Sequence, residues 1–498
     1  MRRSGYPGLR AWIVAGLLVT CGATSGAQSG RITGVSWIQS VDLRPLVDDS
    51  VPIGLAEGNG PYRQLADGRL VRCIDGEAFC RLRRSGARAT SIPVVQDLTG
   101  AAWGLGEGVS LHAHVRARGS LGDNDLLWPR TDDRFDALEA YVQMDRAAWR
   151  ARLGRQWATN ALGVHNFDGV SVLARRGVWL AEAFGGRSLV AGLNESHTGT
   201  TLGSLDDLPP DEAGYLVGVM GALRLSGGQA VGAVYERVIR ADRAALYSDR
   251  IALDASARLL GATVEASYAH DLMSGSLTEA RLRASTELPG RVSAIVEVRR
   301  HRPFFEWWTI WGAFSPVAFD EARVIGGWRD PAGRWSLDAS GGYRQYDETS
   351  AGLETAPLRT NGWRAGIGAE WSPDERWFGY ADYNVDIGFG ASRSDAMAGL
   401  RWTPGERYTL GGFLSALQNI YEFRVGTGRV LGLGVEGSFR ATEETRLVFD
   451  GALYAHRASN GAPSTDWSQR RLSLRLEWSV GSDPGAGAAA RAPGGSAR

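Results

Sequence analysis

The chain has 498 residues, with 55 basic and 55 acidic side chains and a formal net charge of zero. This balance argues against a nucleic-acid-binding protein, because such proteins usually carry a basic face. Hydrophobic residues make up 44% of the chain and its mean hydropathy is -0.19, which argues against a bundle of membrane-spanning helices. Glycine, with 66 residues, and tryptophan, with 18, are both abundant.

Residues 1–27 have the layout of a secretory signal peptide. A positively charged start with three arginines is followed by an apolar stretch at residues 11–21 and by small residues up to Ala27. We expect cleavage after Ala27. The rest of the sequence holds no apolar run of about 18 residues, the length that a membrane-spanning helix needs. A secreted chain of this length is then either a soluble protein or a β-barrel.

Residues 28–100 lack a regular pattern and contain the two cysteines that follow the signal peptide, Cys73 and Cys80. In an oxidising periplasm we expect these cysteines to form a disulfide that closes a short loop. Two cysteines are too few for a structural zinc site, and the chain has no C-x-x-C-H haem motif, so no cofactor is predicted. We interpret this region as an N-terminal segment that lies in the periplasm or occupies the lumen of a barrel.

Residues 101–480 alternate between apolar and polar side chains with a period of two. Leu282 and Ala284, for example, alternate with Arg281 and Arg283. The same pattern recurs at residues 250–259, 291–299, 363–371 and 471–478. Successive side chains of a β-strand point to opposite faces, so each segment has one apolar face and one polar face. The pattern predicts antiparallel strands, although a soluble β-sandwich would also show it.

The lengths of the segments and of their connections favour a membrane barrel over a sandwich. The segments have about 10–13 residues, close to the ~9–11 that cross a bilayer and longer than the ~5–6 of a typical globular strand. Short connections alternate with long ones, as in outer-membrane barrels. The short ones are residues 288–290, 330–333, 372–375, 403–406 and 441–444, and the long ones include 303–319, 347–360, 419–428 and 458–467.

Aromatic residues cluster beside the short connections. They are Trp149, Trp328, Trp335, Trp371, Trp377, Trp402, Tyr408, Phe439 and Trp478. A ring of aromatic side chains at one membrane interface is typical of transmembrane barrels. We therefore predict an all-β fold, with a single large antiparallel transmembrane β-barrel of about 18–20 strands over residues 101–480. The barrel belongs in the bacterial outer membrane, and an even strand count places both chain ends in the periplasm. The tail, residues 481–498, is rich in small residues and is expected to be disordered.

The polar faces of the first three predicted strands carry charged side chains that would line a pore. They are His112, His114, Arg116 and Arg118 on the first strand, Glu139 and Asp145 on the second, and Arg150 and Arg152 on the third. If the acids neutralise only part of the arginines, a positive wall remains, and clustered guanidinium groups bind carboxylates and phosphates. If the pairing is complete, the wall is nearly neutral, which is the commoner arrangement in a barrel. The two histidines lack a third ligand, so no metal site is predicted.

One long connection carries an unusual aromatic cluster. Its members are Phe304, Phe305, Trp307, Trp308 and Trp311. The cluster either forms an aromatic constriction in the lumen or packs on neighbouring loops or a subunit partner. The sequence shows neither a serine elbow nor a paired-carboxylate motif, and we predict no catalytic residue.

Residues 111–187 resemble the start of the alginate-export type of outer-membrane porin. The resemblance is carried by the run LEAYVQM at residues 138–144, by RLGRQ at 152–156 and by FDGV at 167–170. In that family a strand that ends in a G-R-Q run is followed by an F-D-G run that opens the next strand. The resemblance implies a large single-chain porin and, more specifically, an acidic polysaccharide as the solute.

These patterns together predict a porin-like channel for small or polymeric polar solutes, with anionic solutes favoured if the arginine wall is positive. The expected partners are outer-membrane lipid, the solute and a periplasmic protein, and no nucleic acid. Two other classes stay open. One is a barrel that forms a sheath around a separate multihaem cytochrome, and the other is an outer-membrane barrel enzyme.

Overall fold

The computed structural model describes residues 29–481 except for 44–45, 59, 61, 67–69, 75, 122–134, 190–213, 241–245, 303–316, 348–359, 389–390, 423–427 and 459–465. Within these ranges the chain is almost entirely β-structure, in two sheets. The helical structure among the described residues is a single turn at Ile53–Leu55, and none of it could span a membrane. The predicted signal peptide and residues 482–498 of the predicted C-terminal tail lie outside the described residues, whereas Gly481 is the last residue of a strand.

The larger sheet forms the wall of a closed antiparallel barrel. Its strands are β1 (Ser29–Leu43), β8 (Pro93–Gly106), β9 (Val109–Ser120), β10 (Phe135–Asp145), β11 (Trp149–Asn160), β12 (Gly163–Arg176), β13 (Trp179–Ser188), β14 (Gly214–Arg224), β15 (Ala230–Arg240), β16 (Leu246–Leu259), β17 (Ala262–Asp271), β18 (Ser276–Leu288), β19 (Val292–His301), β20 (Phe319–Arg329), β21 (Trp335–Tyr346), β22 (Asn361–Asp374), β23 (Trp377–Ile387), β24 (Ala391–Gly405), β25 (Tyr408–Glu422), β26 (Gly428–Arg440), β27 (Thr445–Ala458) and β28 (Trp467–Gly481). From β8 to β28 each strand pairs with the next, and β1 pairs with both β28 and β8. A further short strand, β7 (Ala89–Ser91), extends the pairing along β1. The wall therefore closes with 22 strands.

The alternation of side chains places apolar residues on the outside of the wall and charged residues in the lumen. Leu282, Val296 and Ile367 are 50%, 51% and 61% exposed, as expected for side chains that face lipid. On the opposite face, Arg364 forms an ion pair of 3.1 Å with Asp386. Such alternation along every strand is the pattern of a transmembrane barrel. The predicted fold class is confirmed.

Short turns gather at one end of the barrel, here called the turn rim, which holds the β8–β9 turn at residues 107–108. Both ends of the wall lie at this rim, because Arg31 pairs with Gly481. Aromatic side chains from neighbouring strands meet there in pairs, including Trp377 with Trp402 at 5.9 Å. In outer-membrane barrels the short turns are periplasmic, so this aromatic girdle marks the periplasmic interface.

The wall differs from the prediction in its length and strand number. It has 22 strands rather than 18–20, and it starts at Ser29 rather than at residue 101. The alternation along β1 is blurred because Val35 and Trp37 lie on the lumen face while the small Ser36 lies on the lipid face. β1 therefore could not be predicted from an alternation of apolar residues outside and polar residues inside.

The smaller sheet is an insertion between β1 and β7. Its strands are β2 (Leu46–Pro52), β3 (Ala56–Glu57), β4 (Tyr62–Leu65), β5 (Leu70–Arg72) and β6 (Phe79–Ser85). The predicted disulfide between Cys73 and Cys80 is present, with a Cα–Cα distance of 4.2 Å. Both cysteines are buried against Val71 and Leu82. The disulfide therefore stabilises a core too small to persist on apolar contacts alone.

The position of this insertion corrects the interpretation of residues 28–100 as one periplasmic or lumen segment. β1 crosses the wall from the turn rim before the insertion begins, and β8 crosses back after it. The insertion therefore leaves the barrel at the opposite end, the loop rim, away from the periplasmic turns. The parts of this region on either side of the insertion belong to the wall.

The two faces of β19 give a direct test of the barrel. Val296 faces lipid near the middle of the strand, and its neighbour Ile295 faces the lumen. We expect Val296→Arg to lower the free energy of unfolding in lipid vesicles by about 2–4 kcal/mol, the cost of a cation at the bilayer midplane. Ile295→Arg is the matched control and should lower the free energy of unfolding clearly less. A larger loss for Ile295→Arg would show that the faces are reversed.

Candidate functional site in the barrel lumen

The predicted basic side chains of β9 lie together on the lumen face, and most of them contact carboxylates. The Arg116 Nε donates to Asp97 at 2.8 Å, and an Arg118 guanidinium nitrogen donates to Asp136 at 2.6 Å. The Nε2 of His114 lies 3.5 Å from the same Asp97 carboxylate. These arginines are therefore largely neutralised by acids on the strands that flank them.

The partner acids are not those that the sequence indicated. Asp97 lies in β8, which the sequence interpretation placed outside the barrel, and Asp136 lies at the start of β10. Of the expected acids, Glu139 lies opposite His114 in the strand ladder, and Asp145 accepts a hydrogen bond of 3.2 Å from Arg175. Correct placement of β8 would have identified Asp97 as a lumen residue.

Arg152 differs from the arginines of β9 because its hydrogen-bond acceptor is neutral. Its Nε donates to the side-chain oxygen of Gln143 at 2.8 Å, and its guanidinium lies 5.2 Å from the centre of the Tyr141 ring. His112 stacks on the same ring at 4.9 Å. Neither contact cancels the charge of Arg152. Its neighbour on the same face, Arg150, lies opposite Asp145 in the ladder.

A second charged cluster on the far wall was not identified from the sequence. Its centre is Glu321 of β20, which is 4% exposed and accepts hydrogen bonds from Arg299 at 2.7 Å and Arg344 at 2.9 Å. Arg364 lies 3.3 Å from the same carboxylate and 3.1 Å from Asp386. The three arginines and two acids join strands β19 to β23 across the lumen face. The register of the strands, which the alternation does not give, brings them together.

Part of the wall folds into the lumen. β11 pairs with β10 only up to Arg155, which lies opposite Ala140, and beyond it the β11–β12 hairpin leaves β10. Two side chains of the hairpin then replace the lost backbone partners. Arg155 donates to the carbonyl oxygen of Ala137 at 2.8 Å, and Asn166 donates to that of Leu138 at 3.1 Å. We call residues 156–167 the inward hairpin.

Glycines allow the close backbone approach at the base of the inward hairpin. Gly154, Gly169 and Gly186 lie directly opposite one another on β11, β12 and β13. A Cβ atom at Gly169 would overlap the carbonyl oxygen of Gly185. A side chain at this position would therefore force the strands apart.

The inward hairpin ends against the lumen face of β15 and β16. Asn160 donates to Glu236 at 2.5 Å, and the Nε2 of His165 lies 2.9 Å from the other oxygen of that carboxylate. Arg250 donates to the carbonyl oxygen of Leu162 at 3.1 Å. Glu236 is 1% exposed, so these contacts are shielded from water.

An apolar core lies beneath the inward hairpin. Phe167 packs with Phe184, Leu216 and Val238, all of which point into the lumen and are at most 5% exposed. Gly218 lies opposite Phe184 in the ladder and leaves the space that the ring fills. Apolar lumen residues would be unfavourable in contact with water, and the hairpin covers them.

The aromatic cluster of residues 304–311 lies outside the described residues. In the part of the chain that the structure describes, no three His, Cys, Asp or Glu side chains come together in a possible metal site.

The closed barrel, its apolar outer surface and its aromatic girdle define the class of the protein. It is a bacterial outer-membrane β-barrel. No family model and no curated protein matches the chain. Membership of the alginate-export family is therefore not shown.

Solved structures with a similar architecture include three barrels of outer-membrane type. A BenF-like porin from Pseudomonas fluorescens Pf-5 is 9% identical with a TM-score of 0.41, over 92% of this chain and 100% of that one. The ferric enterobactin receptor PfeA of Pseudomonas aeruginosa is 10% identical with a TM-score of 0.47, over 90% of this chain and 80% of the receptor chain. The translocation pore of the P pilus usher PapC is 9% identical with a TM-score of 0.42, over 91% and 100%.

The buried carboxylate of Glu321 gives a test of the far-wall cluster. We expect Glu321→Gln to lower the free energy of unfolding by about 3 kcal/mol, because three guanidinium groups lose their shared counter-charge. The matched control is Glu265→Gln, which removes a more exposed carboxylate 3.7 Å from Arg283 and should cost less than about 1 kcal/mol. Urea unfolding in lipid vesicles measures both. If both variants lose the same free energy of unfolding, the cluster does not stabilise the wall.

Proposed function

We propose that this protein is a porin-like channel through which polar solutes cross the outer membrane passively, without a catalytic step. The observation that carries the proposal is a wide closed wall with a charged inner face. Barrels of about eight strands are filled by their own side chains, whereas those of about 16–18 leave an aqueous channel. A barrel of 22 strands has a wider lumen still, which in outer-membrane transporters of this size holds a plug. Among the described residues of this chain the inward hairpin covers one side of the lumen, and no separate plug domain fills it.

The solutes that this lumen favours are polar, and the arginines on the lumen face of β9 and β11 support a preference for anions. Arg116 and Arg118 are paired with carboxylates, so the preference depends on Arg150 and Arg152. Arg152 contacts a neutral amide and a ring rather than an acid. An acidic polysaccharide, the solute that the resemblance of residues 111–187 implies, is the most specific form of this proposal.

The direct test of the channel is reconstitution of the purified, folded protein in planar lipid bilayers. We expect discrete conductance steps, because an aqueous lumen passes ions without a coupled reaction. A folded barrel that inserts but stays electrically silent would contradict the channel. Such a barrel would favour a filled sheath or an enzyme instead.

The reversal potential in a salt gradient tests the anion preference. We expect the wild type to favour anions, and the double variant Arg150→Ser with Arg152→Ser to lose that preference, because two positive charges leave the lumen. The control variant combines Arg283→Ser with Glu265→Gln, which removes an ion pair and keeps the net charge constant. An unchanged reversal potential in the Arg150 and Arg152 variant would show that these arginines do not select the solute. Added acidic polysaccharide should reduce the current of the wild type more than that of this variant.

A further inference from the structure

We propose that the inward hairpin is the constriction that sets the size limit of the channel, and that Glu236 and Arg250 hold it in place. This inference rests on the proposed channel function. It assigns a positioning role to residues that the sequence did not single out, and it separates selection by size from selection by charge.

The contacts of the hairpin require it to cross part of the lumen. β12 and β15 are three strands apart in the wall, which corresponds to about 14 Å at the usual spacing of ~4.8 Å. The Nε2 of His165 on β12 nevertheless lies 2.9 Å from the carboxylate of Glu236 on β15. A strand that stayed in the wall could not make this contact. The tip of the hairpin has therefore moved inward, over the lumen face of β13 and β14.

The polar contacts at the tip fix its position more firmly than a surface loop would be fixed. The Glu236 carboxylate contacts both sides of the hairpin, at Asn160 on β11 and His165 on β12. Arg250 holds the turn itself through the carbonyl oxygen of Leu162, and its Nε donates to Ser248 at 3.1 Å. Removal of one partner from such a buried network leaves the others unpaired, which is strongly unfavourable.

The two faces of the hairpin have different surroundings. Ala158, His165 and Phe167 face the wall, where Ala158 and Phe167 pack in the apolar core and His165 contacts Glu236. The other face carries Thr159 and Val164, which lie opposite each other in the ladder. Val164 is 49% exposed, and Thr159 is exposed as well, whereas His165 and Phe167 on the first face are buried. This second face therefore borders the open lumen.

The lumen-facing surface at the tip is uncharged. Thr159 and Val164 offer a hydroxyl and an apolar group, whereas the charged clusters lie on the wall at β9–β11 and β19–β23. A solute that passes the tip meets a steric limit but little electrostatic selection. The hairpin therefore discriminates by size, and the arginines discriminate by charge.

A thiol introduced at the tip tests the constriction. Val164→Cys replaces an exposed side chain, and the two native cysteines of the described residues, Cys73 and Cys80, are already joined to each other, so the new thiol is the reactive one in this part of the chain. After modification with a bulky neutral methanethiosulfonate reagent, we expect the single-channel conductance to fall by at least half. Val172→Cys is the matched control, because Val172 lies on the same strand with 45% exposure but faces lipid. Its conductance should stay unchanged.

The outcomes separate this inference from the channel itself. A wild type that conducts, together with a fully labelled Val164→Cys protein of unchanged conductance, overturns the constriction while the channel stands. A silent wild type overturns the channel and this inference with it. Mass spectrometry reports the extent of labelling in each case.

The role of Arg250 is tested by Arg250→Met, with Arg258→Met as the control at another lumen-facing position of β16. We expect Arg250→Met to raise the conductance or to add large fluctuations between levels, because the tip is released. The charge change is the same in both variants, so a similar effect of Arg258→Met would overturn the positioning role. Circular dichroism of both variants confirms that the barrel is folded before the currents are compared.

Discussion

Backbone hydrogen bonding is the constraint on which this structure depends. A peptide group that faces hydrocarbon has no water to bond to, and each unpaired group costs several kcal/mol, so a membrane sheet must close on itself. In this chain β1 makes the closure. It pairs with β28 over Arg31–Val41 and with β8 over Ser29–Ile38. Without it the wall would have two open edges, at β8 and β28.

The same constraint accounts for the form of the inward hairpin. When β11 leaves β10, carbonyl groups of β10 lose their partners, and the side chains of Arg155 and Asn166 bond to them instead. At the tip, Glu236 of β15 and Arg250 of β16 bond to the hairpin from a nearby part of the wall. The lumen is therefore narrowed without a separate plug domain among the described residues. In the channel proposed above, the constriction is part of the wall itself.

The alternation of side chains predicted the strands and their lipid-facing residues, because one face of each strand meets lipid and the other meets water. The lengths of segments and connections and the aromatic residues beside the short connections were needed to predict a barrel in the outer membrane. The alternation could not find β1, where Val35 and Trp37 face the lumen and Ser36 faces lipid. The alternation also could not predict which charged side chains of the lumen form ion pairs. Glu321 and its arginines come from strands whose mutual register is set by hydrogen bonding rather than by local sequence. The inward hairpin was not predicted, although the apolar lumen residues Phe184 and Leu216 were a signal that something covers them.

Closure by the first strand is tested most directly by a disulfide across the seam. Thr33 and Ser479 lie opposite each other on β1 and β28. The account predicts that Thr33→Cys with Ser479→Cys forms a disulfide in the folded protein under mild oxidation, identified by mass spectrometry of the linked peptides. The offset pair Thr33→Cys with Ser473→Cys should not form one. A folded barrel in which the matched pair stays reduced, or in which the offset pair links equally well, would contradict closure by β1.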